Sequence, residues 1–325
     1  MSPPPSPPSP LRDHVVVGTD GSPAAMWALD RAVVEARRRR VPLEIVHGWS
    51  WGGAYEPMDD ASDVLAAAER RVVDRDPALP VVTTAVSADA ASALVDRSAD
   101  ACLTVLGSRG HGGFAGLLLG SVTLRVAAHC HRPLLVVRGA DERTGPPTER
   151  PVVLGLKPPA DSATRSTPES PAASTPDSAA PSTPGSATDS AAHPAPEPGA
   201  DSAAIGFAFA EAARQRAGLL VVHARPGPDR RRPTGPGADP TGDPAAPDAL
   251  TAWRARYPQV AVETRAVPGD PARTLVEAAS AAEVVVIAVH RRTTGLGLQL
   301  GPVTHALLHH SPAPVALVPC PAPPG

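Results

Sequence analysis

Short apolar runs alternate along this chain with segments in which apolar residues recur every three or four positions. Residues 14–18, HVVVG, read as a buried strand. The turn Thr19-Asp20-Gly21-Ser22-Pro23 follows, with Ser22 placed as an N-cap and Pro23 at the first helical position. The spacing beyond it predicts a helix over 24–39, with Trp27, Ala28, Arg31 and Ala32 on faces of one cylinder. Residues 43–47 read as a second strand, 49–60 as a loop with Trp49, Trp51 and Tyr55, and 63–74 as an amphipathic helix. A third strand over 81–86 and a third helix over 90–98 come next. Strands over 102–106 and 134–137 flank a glycine-rich stretch and a helix over 122–128, which Pro133 stops. The order βαβαβαβαβ implies a parallel sheet with helices on both faces, because parallel strands need crossover connections.

The pattern then runs a second time. VVLGL from residue 152 echoes VVVGT, residues 203–216 match the first helix, and LLVVH at 219–223 matches LEIVH at 43–47. From about residue 82 onward a single offset of 181 aligns the two copies. This is a tandem duplication, and it constrains the fold more than any single element does.

Length agrees with two domains: 325 residues. The 42 prolines are concentrated in the two ends and two internal stretches. Expected boundaries are a tail over 1–10, a first unit over 11–139, a linker over 140–150 and a second unit over 151–320. The second unit carries an insert over 158–200, built from Pro, Ser, Ala and Thr with a Ser-Thr-Pro repeat. Such a segment buries too little apolar surface to offset ordering and is expected to be disordered. A net charge of −3 and few aromatics argue against a nucleic-acid partner. Arg37 to Arg40 read as cations complementing a helix C-terminus. No run reaches the ~18 apolar residues of a membrane span, and the first residues lack the basic and apolar regions of a signal peptide. Cys102, Cys130 and Cys320 form no C-x-x-C pair, which fits reduced thiols in a cytoplasm. His129-Cys130-His131 is not read as a metal site, since adjacent side chains cannot converge on one ion. His47 and His223 sit at matching strand ends and are read as structural.

Candidate chemistry lies between residues 102 and 138. The spacing is Gly107-x2-Gly110-x9-Gly120-Ser121, after a strand and before a helix. Glycines let the backbone approach an anion, the helix start offers unpaired N–H groups, and Ser121 and Thr123 add hydroxyl donors. Neither a P-loop nor a dinucleotide fingerprint is present. The spacing resembles the nucleotide motif of the universal stress protein family, in its ATP-binding branch.

That resemblance implies two tandem Rossmann-like units of the adenine nucleotide α-hydrolase type. Each would be a five-stranded parallel sheet in the order 3-2-1-4-5, with the nucleotide across the carboxyl ends of the strands. It implies cofactor contacts at Thr19, Asp20, Gly48, Leu106, Gly107, Arg109, Gly110, Gly120, Ser121, Val122 and Thr123. Asp20 would accept hydrogen bonds from ribose hydroxyls, a backbone group at Gly48 would meet the adenine, and Gly107 and Gly110 would admit the phosphates. Arg109 and His111 lie in the loop. The ligand implied is ATP, with or without Mg2+. The second copy departs from the motif: Lys157 stands for Asp20, Ala288 for Gly107, Arg291 for Gly110 and Pro302 for Ser121. Proline there removes a hydroxyl and an N–H donor together. The expectation is therefore a cytoplasmic ATP-binding regulatory protein of the stress response, with one competent site. Its two units would pair within the chain, with a homodimer also compatible and neither nucleic acid nor membrane as partner. The alternatives are a nucleotide-free interaction module of the same fold and a slow ATP hydrolase. No nucleophile paired with a general base accompanies the loop, which leaves at most weak hydrolysis.

Overall fold

β1, His14–Gly18, is buried at every position, as a strand covered on both faces must be. Val15 and Val17 enter one core and Val16 the other, the two-residue alternation of a strand. α1, Pro23–Arg39, starts at Ser22, whose hydroxyl accepts the Ala25 N–H at 3.2 Å. It ends at Arg40 in the left-handed conformation, φ 57°. Its buried stripe holds Ala28, Leu29, Ala32 and Ala36, but also Arg31 and Glu35. Local periodicity alone would leave those two charges in water.

The first unit continues with β2 (Leu43–Trp49), α2 (Met58–Arg75), β3 (Val81–Ser87), α3 (Ala90–Ser98), β4 (Ala101–Gly107), α4 (Ser121–His129) and β5 (Leu134–Val137). The second comprises β6 (Val152–Leu156), α5 (Ser202–Gln215), β7 (Leu219–Arg225), α6 (Asp248–Arg256), β8 (Val262–Pro268), α7 (Pro271–Ala279) and β9 (Val284–His290). A short antiparallel hairpin follows, β10 (Arg292–Thr294) with β11 (Gly297–Gln299), then α8 (Pro302–His310) and β12 (Val315–Cys320). This computed structural model describes residues 11–49, 58–110, 119–139, 150–156, 201–225, 248–290, 292–294 and 297–320. The tail, Trp51 and Tyr55, His111, Lys157, the 158–200 insert and Arg291 lie outside the described residues.

Three local expectations change. α2 begins at Met58, five residues earlier than the apolar spacing indicates, because Met58 to Ser62 carries little apolar signal. α4 starts at Ser121 and closes at His129, with Cys130 as its extended C-cap. Pro133 lies three residues past that cap, where its ring would clash with the His129 carbonyl of a continued helix, as the expected stop requires. The β10–β11 hairpin is additional to the expected elements.

All strands except the hairpin form one ten-stranded sheet, ordered β3-β2-β1-β4-β5-β12-β9-β6-β7-β8. Each half has the order 3-2-1-4-5 in its own strands, with parallel neighbours. The halves meet at β5 and β12, which pair antiparallel: Val136 with Val315, Leu135 with Ala316, and Leu134 with Leu317. One core under α1, α2, α5 and α6 takes Leu29, Leu103 and Leu135 from the first half and Leu154, Phe209 and Ala316 from the second. The core on the opposite face, under α3, α4, α7 and α8, is likewise shared.

The buried charges of α1 belong to this seam. Arg31 donates to Glu35 at 2.9 Å and to Glu283, just before β9, at 2.7 Å. Arg39 donates to Glu35 and, at 2.6 Å, to Glu211 of α5. Burial pushes the Glu35 carboxyl up, but the charges of Arg31, Arg39 and Arg38 more than reverse this and hold it at about 2. Arg39 thus does more than complement a helix dipole: its side chain is enclosed between the halves.

Candidate functional site

The strand order reverses between β1 and β4, and this is where doubly wound sheets open a crevice at their carboxyl ends. A cavity of about 390 Å3 occupies that position, within the range of small-molecule sites. All eleven residues expected at the site line it: Thr19, Asp20, Gly48, Leu106, Gly107, Arg109, Gly110, Gly120, Ser121, Val122 and Thr123.

Each is placed by an identifiable element. Thr19 is fixed by its N–H on the Val46 carbonyl at 2.9 Å, and its own carbonyl accepts the Nδ1–H of His47 at 2.8 Å. His47 therefore ties the end of β2 to the end of β1. The Asp20 Oδ1 accepts the Ser22 N–H at 3.0 Å, which orients the carboxylate at the mouth of the turn. Across the cavity, β4 delivers Leu106 and Gly107. A Cβ at Gly107 would meet the Ala24 carbonyl oxygen at 2.6 Å, so β4 and α1 approach through a position without a side chain. A Cβ at Gly110 would overlap the other oxygen of the Asp20 carboxylate. The close approach at Gly110 is thus to Asp20 across the crevice, and φ there lies outside the left-handed region.

α4 points its N-terminus into the same space. Its N-cap, Gly120, supplies no side-chain hydrogen bond, so the first-turn N–H groups carry no side-chain cap. Ser121 is exposed. Thr123 is not the open donor the sequence implies: its hydroxyl is buried and donates to the Gly107 carbonyl at 2.8 Å. Thr123 therefore joins the start of α4 to the end of β4, and Ser121 is left as the available hydroxyl of the pair.

Val46, Leu94 of α3 and Leu119 form much of the apolar wall and were absent from the sequence expectation. Val46 was within reach of it, because Val46 and Gly48 are two apart on β2 and share a face. Leu94 and Leu119 reach the cavity only through tertiary packing. The lining thus combines apolar side chains with backbone N–H groups, the Ser121 hydroxyl, the Arg109 guanidinium and the Asp20 carboxylate. In the second half the equivalent helix, α8, has Pro302 at its first position and Ala288 replaces the first glycine.

Two 3-2-1-4-5 sheets joined edge to edge define a tandem, doubly wound α/β protein. The model of the universal stress protein family matches residues 12–138 and 196–319. The chain belongs to the universal stress protein family. A universal stress protein of Mycobacterium tuberculosis is 28% identical over 327 residues, covering 93% of this chain and 95% of that one. The crystal structure of a universal stress protein from Archaeoglobus fulgidus superposes with a TM-score of 0.61 at 14% identity, covering 94% of this chain and 98% of that one. A further structure from Archaeoglobus fulgidus, a universal stress protein in complex with dAMP, covers 39% of this chain and 98% of its own at 25% identity, with a TM-score of 0.32. Among the described residues no helix is long and apolar enough to cross a membrane.

Proposed function

We propose that this chain is an ATP-binding regulatory protein of the stress response with one competent nucleotide site, in the first unit, residues 11–139. The observation that carries the reading is the single cavity that gathers Asp20, Gly107, Gly110, Gly120 and Ser121 at the start of α4. The residues fit the ligand on physical grounds. The start of α4 has no side-chain cap, and Val46, Leu94 and Leu119 give the cavity apolar lining. Asp20 would hold the ribose and the α4 N-terminus the phosphates. Any Mg2+ would arrive on the phosphates, since Mg2+ takes few protein ligands in such sites.

The second unit, residues 151–320, we read as the scaffold half. Pro302 removes the N–H and hydroxyl that Ser121 offers, and Ala288 adds the Cβ that Gly107 lacks. The β5–β12 ladder and the Arg31, Arg39, Glu35, Glu211 and Glu283 cluster support a stable pairing of the two units within one chain. A cytoplasmic setting is part of the reading: Cys102, Cys130 and Cys320 stand as thiols, and burial raises the Cys320 thiol to about 11.

Calorimetry of the full chain with ATP tests the proposal, together with mass spectrometry of nucleotide released from the purified protein. One adenine nucleotide per chain is expected. Two equivalent sites, or none, overturn it.

A further inference from the structure

A second cavity, of about 430 Å3, adjoins the first and shares Arg109 and Gly110 with it. The first turn of α1 and Trp27 line it, with Arg138 and Gly139, which follow β5. Two guanidiniums therefore border one space. Among the described residues, no hydrogen bond or ion pair holds either of them. Several other arginines of the chain stand on carboxylates: Arg39 on Glu211, Arg71 on Asp30, Arg97 on Glu44 and Arg125 on Asp89. The Asp20 carboxylate faces Gly110 from the first cavity and does not line the second.

Arg138 is half-buried, and that burial, with the charge of Arg109, holds its pKa below the ordinary value. Two like charges are thus brought together in reduced contact with water. Their repulsion is relieved when an anion enters between them. The planar fork of a guanidinium suits a phosphate oxygen pair in particular.

We propose that the Arg109–Arg138 cavity is a second anion subsite for a phosphate group, continuous with the first cavity past Gly110. The phosphate comes either from the far end of the polyphosphate chain of a nucleotide seated in the first cavity or from free inorganic polyphosphate. The nucleotide-borne form rests on the function proposed above. The free form does not.

Titration calorimetry of the full chain with AMP, ATP, adenosine 5′-tetraphosphate and inorganic tripolyphosphate separates these cases, run on the wild type, Arg138→Gln and Arg138→Lys. For the nucleotide-borne form, wild-type affinity rises with phosphate number. Arg138→Gln then weakens adenosine 5′-tetraphosphate by about ten-fold or more and leaves AMP unchanged. Arg138→Lys keeps the charge and recovers part of the loss. If tripolyphosphate alone binds, and Arg138→Gln abolishes that binding, the free form stands and the nucleotide reading falls. If nucleotides bind but neither the tetraphosphate nor tripolyphosphate responds to Arg138→Gln, the subsite is overturned and the nucleotide reading survives. Binding of none of the four ligands overturns both. A thermal melt of each variant accompanies the titrations. Should Arg138→Gln unfold, Arg138→Lys against wild type still decides, by the presence or absence of a selective loss for the longer phosphates.

Discussion

Leu135 pairs with Ala316 across the seam, and the two are counterparts: 316 minus 135 is 181, the offset that aligns the copies. A local two-fold axis therefore runs through this pair, so that each half presents its last strand to the other. Glu35 and Glu211 are counterparts as well, at an offset of 176 in this earlier part of the copies. Each lies five residues before a left-handed C-cap, Arg40 in α1 and Arg216 in α5. The axis brings these two carboxylates to one guanidinium, that of Arg39.

Replacing Arg39 should therefore be costly. Arg39→Met leaves Glu35 and Glu211 short of a cation inside the seam, and breaking a buried pair in this way costs about 3–5 kcal/mol. Urea unfolding should show a loss of that size. A change below ~1 kcal/mol would mean that Arg31 and Arg214 suffice to hold the two carboxylates.

Gly110 and Gly120 should behave differently although both belong to the motif. Gly110→Ala drives the Asp20 carboxylate from its place, whereas a Cβ at Gly120 meets nothing nearer than 3.5 Å. ATP affinity should fall by about ten-fold or more for Gly110→Ala, if one charged hydrogen bond is lost. Gly120→Ala should stay within about two-fold, the scale of an ordinary contact change. Equal losses would show that flexibility of the loop, not the approach to Asp20, is what the glycines provide.

Thr123→Val tests a reassigned hydroxyl. The variant loses the bond to the Gly107 carbonyl and should lower stability by about 1 kcal/mol or somewhat more, since a buried acceptor is left unmade. ATP affinity should move far less than in Ser121→Ala. The reverse ranking, measured by calorimetry and thermal melting on the same samples, would return Thr123 to the ligand.

Acid should destabilise the protein through its buried carboxylates. Glu44 on β2 accepts from His14 at 2.9 Å, Thr84 at 2.8 Å and Arg97 at 2.8 Å. Burial raises its pKa, but these donors and the Arg97 charge outweigh it and leave it below the ordinary glutamate value. Glu35, at about 2, is lowered further. Because both are depressed in the folded state, their stabilisation is complete above about 4.5 and is lost as pH falls towards 2. The melting temperature should drop through that window. Glu44→Gln should begin lower at neutral pH and fall less steeply. Parallel curves for the two proteins would exclude Glu44 as a contributor.

Much of this architecture was legible in the residues. Buried parallel strands announce themselves as apolar runs, and Ser22-Pro23 marks a helix start that the structure reproduces. The duplication did the rest, because a pattern seen twice needs less support from each occurrence. The candidate cavity was legible through a resemblance: the spacing of Gly107, Gly110, Gly120 and Ser121 is that of the family's nucleotide motif, and Asp20 and Gly48 come with it. The seam charges were not, because Arg31 meets Glu283 across 252 positions. No local period carries such a contact. The one available sign was the carboxylate repeated at Glu35 and Glu211, which only an alignment of the copies exposes. Leu94 and Leu119 escaped for the same reason, since an apolar residue bordering a cavity looks like any other core residue until the packing is known.

The β5–β12 ladder has a genetic consequence. When two separate copies of one chain meet about a two-fold axis, every substitution enters both at once. Two copies translated as one chain change singly. Pro302 and Ala288 occur in one half while Ser121 and Gly107 persist in the other. A mixture of separate chains, some with Ser121 and Gly107 and some with their replacements, would assemble into a statistical spread of partnerships that shifts with the expression of each. Here the ratio is one to one in every molecule, at any level of expression, because it is written into a single reading frame.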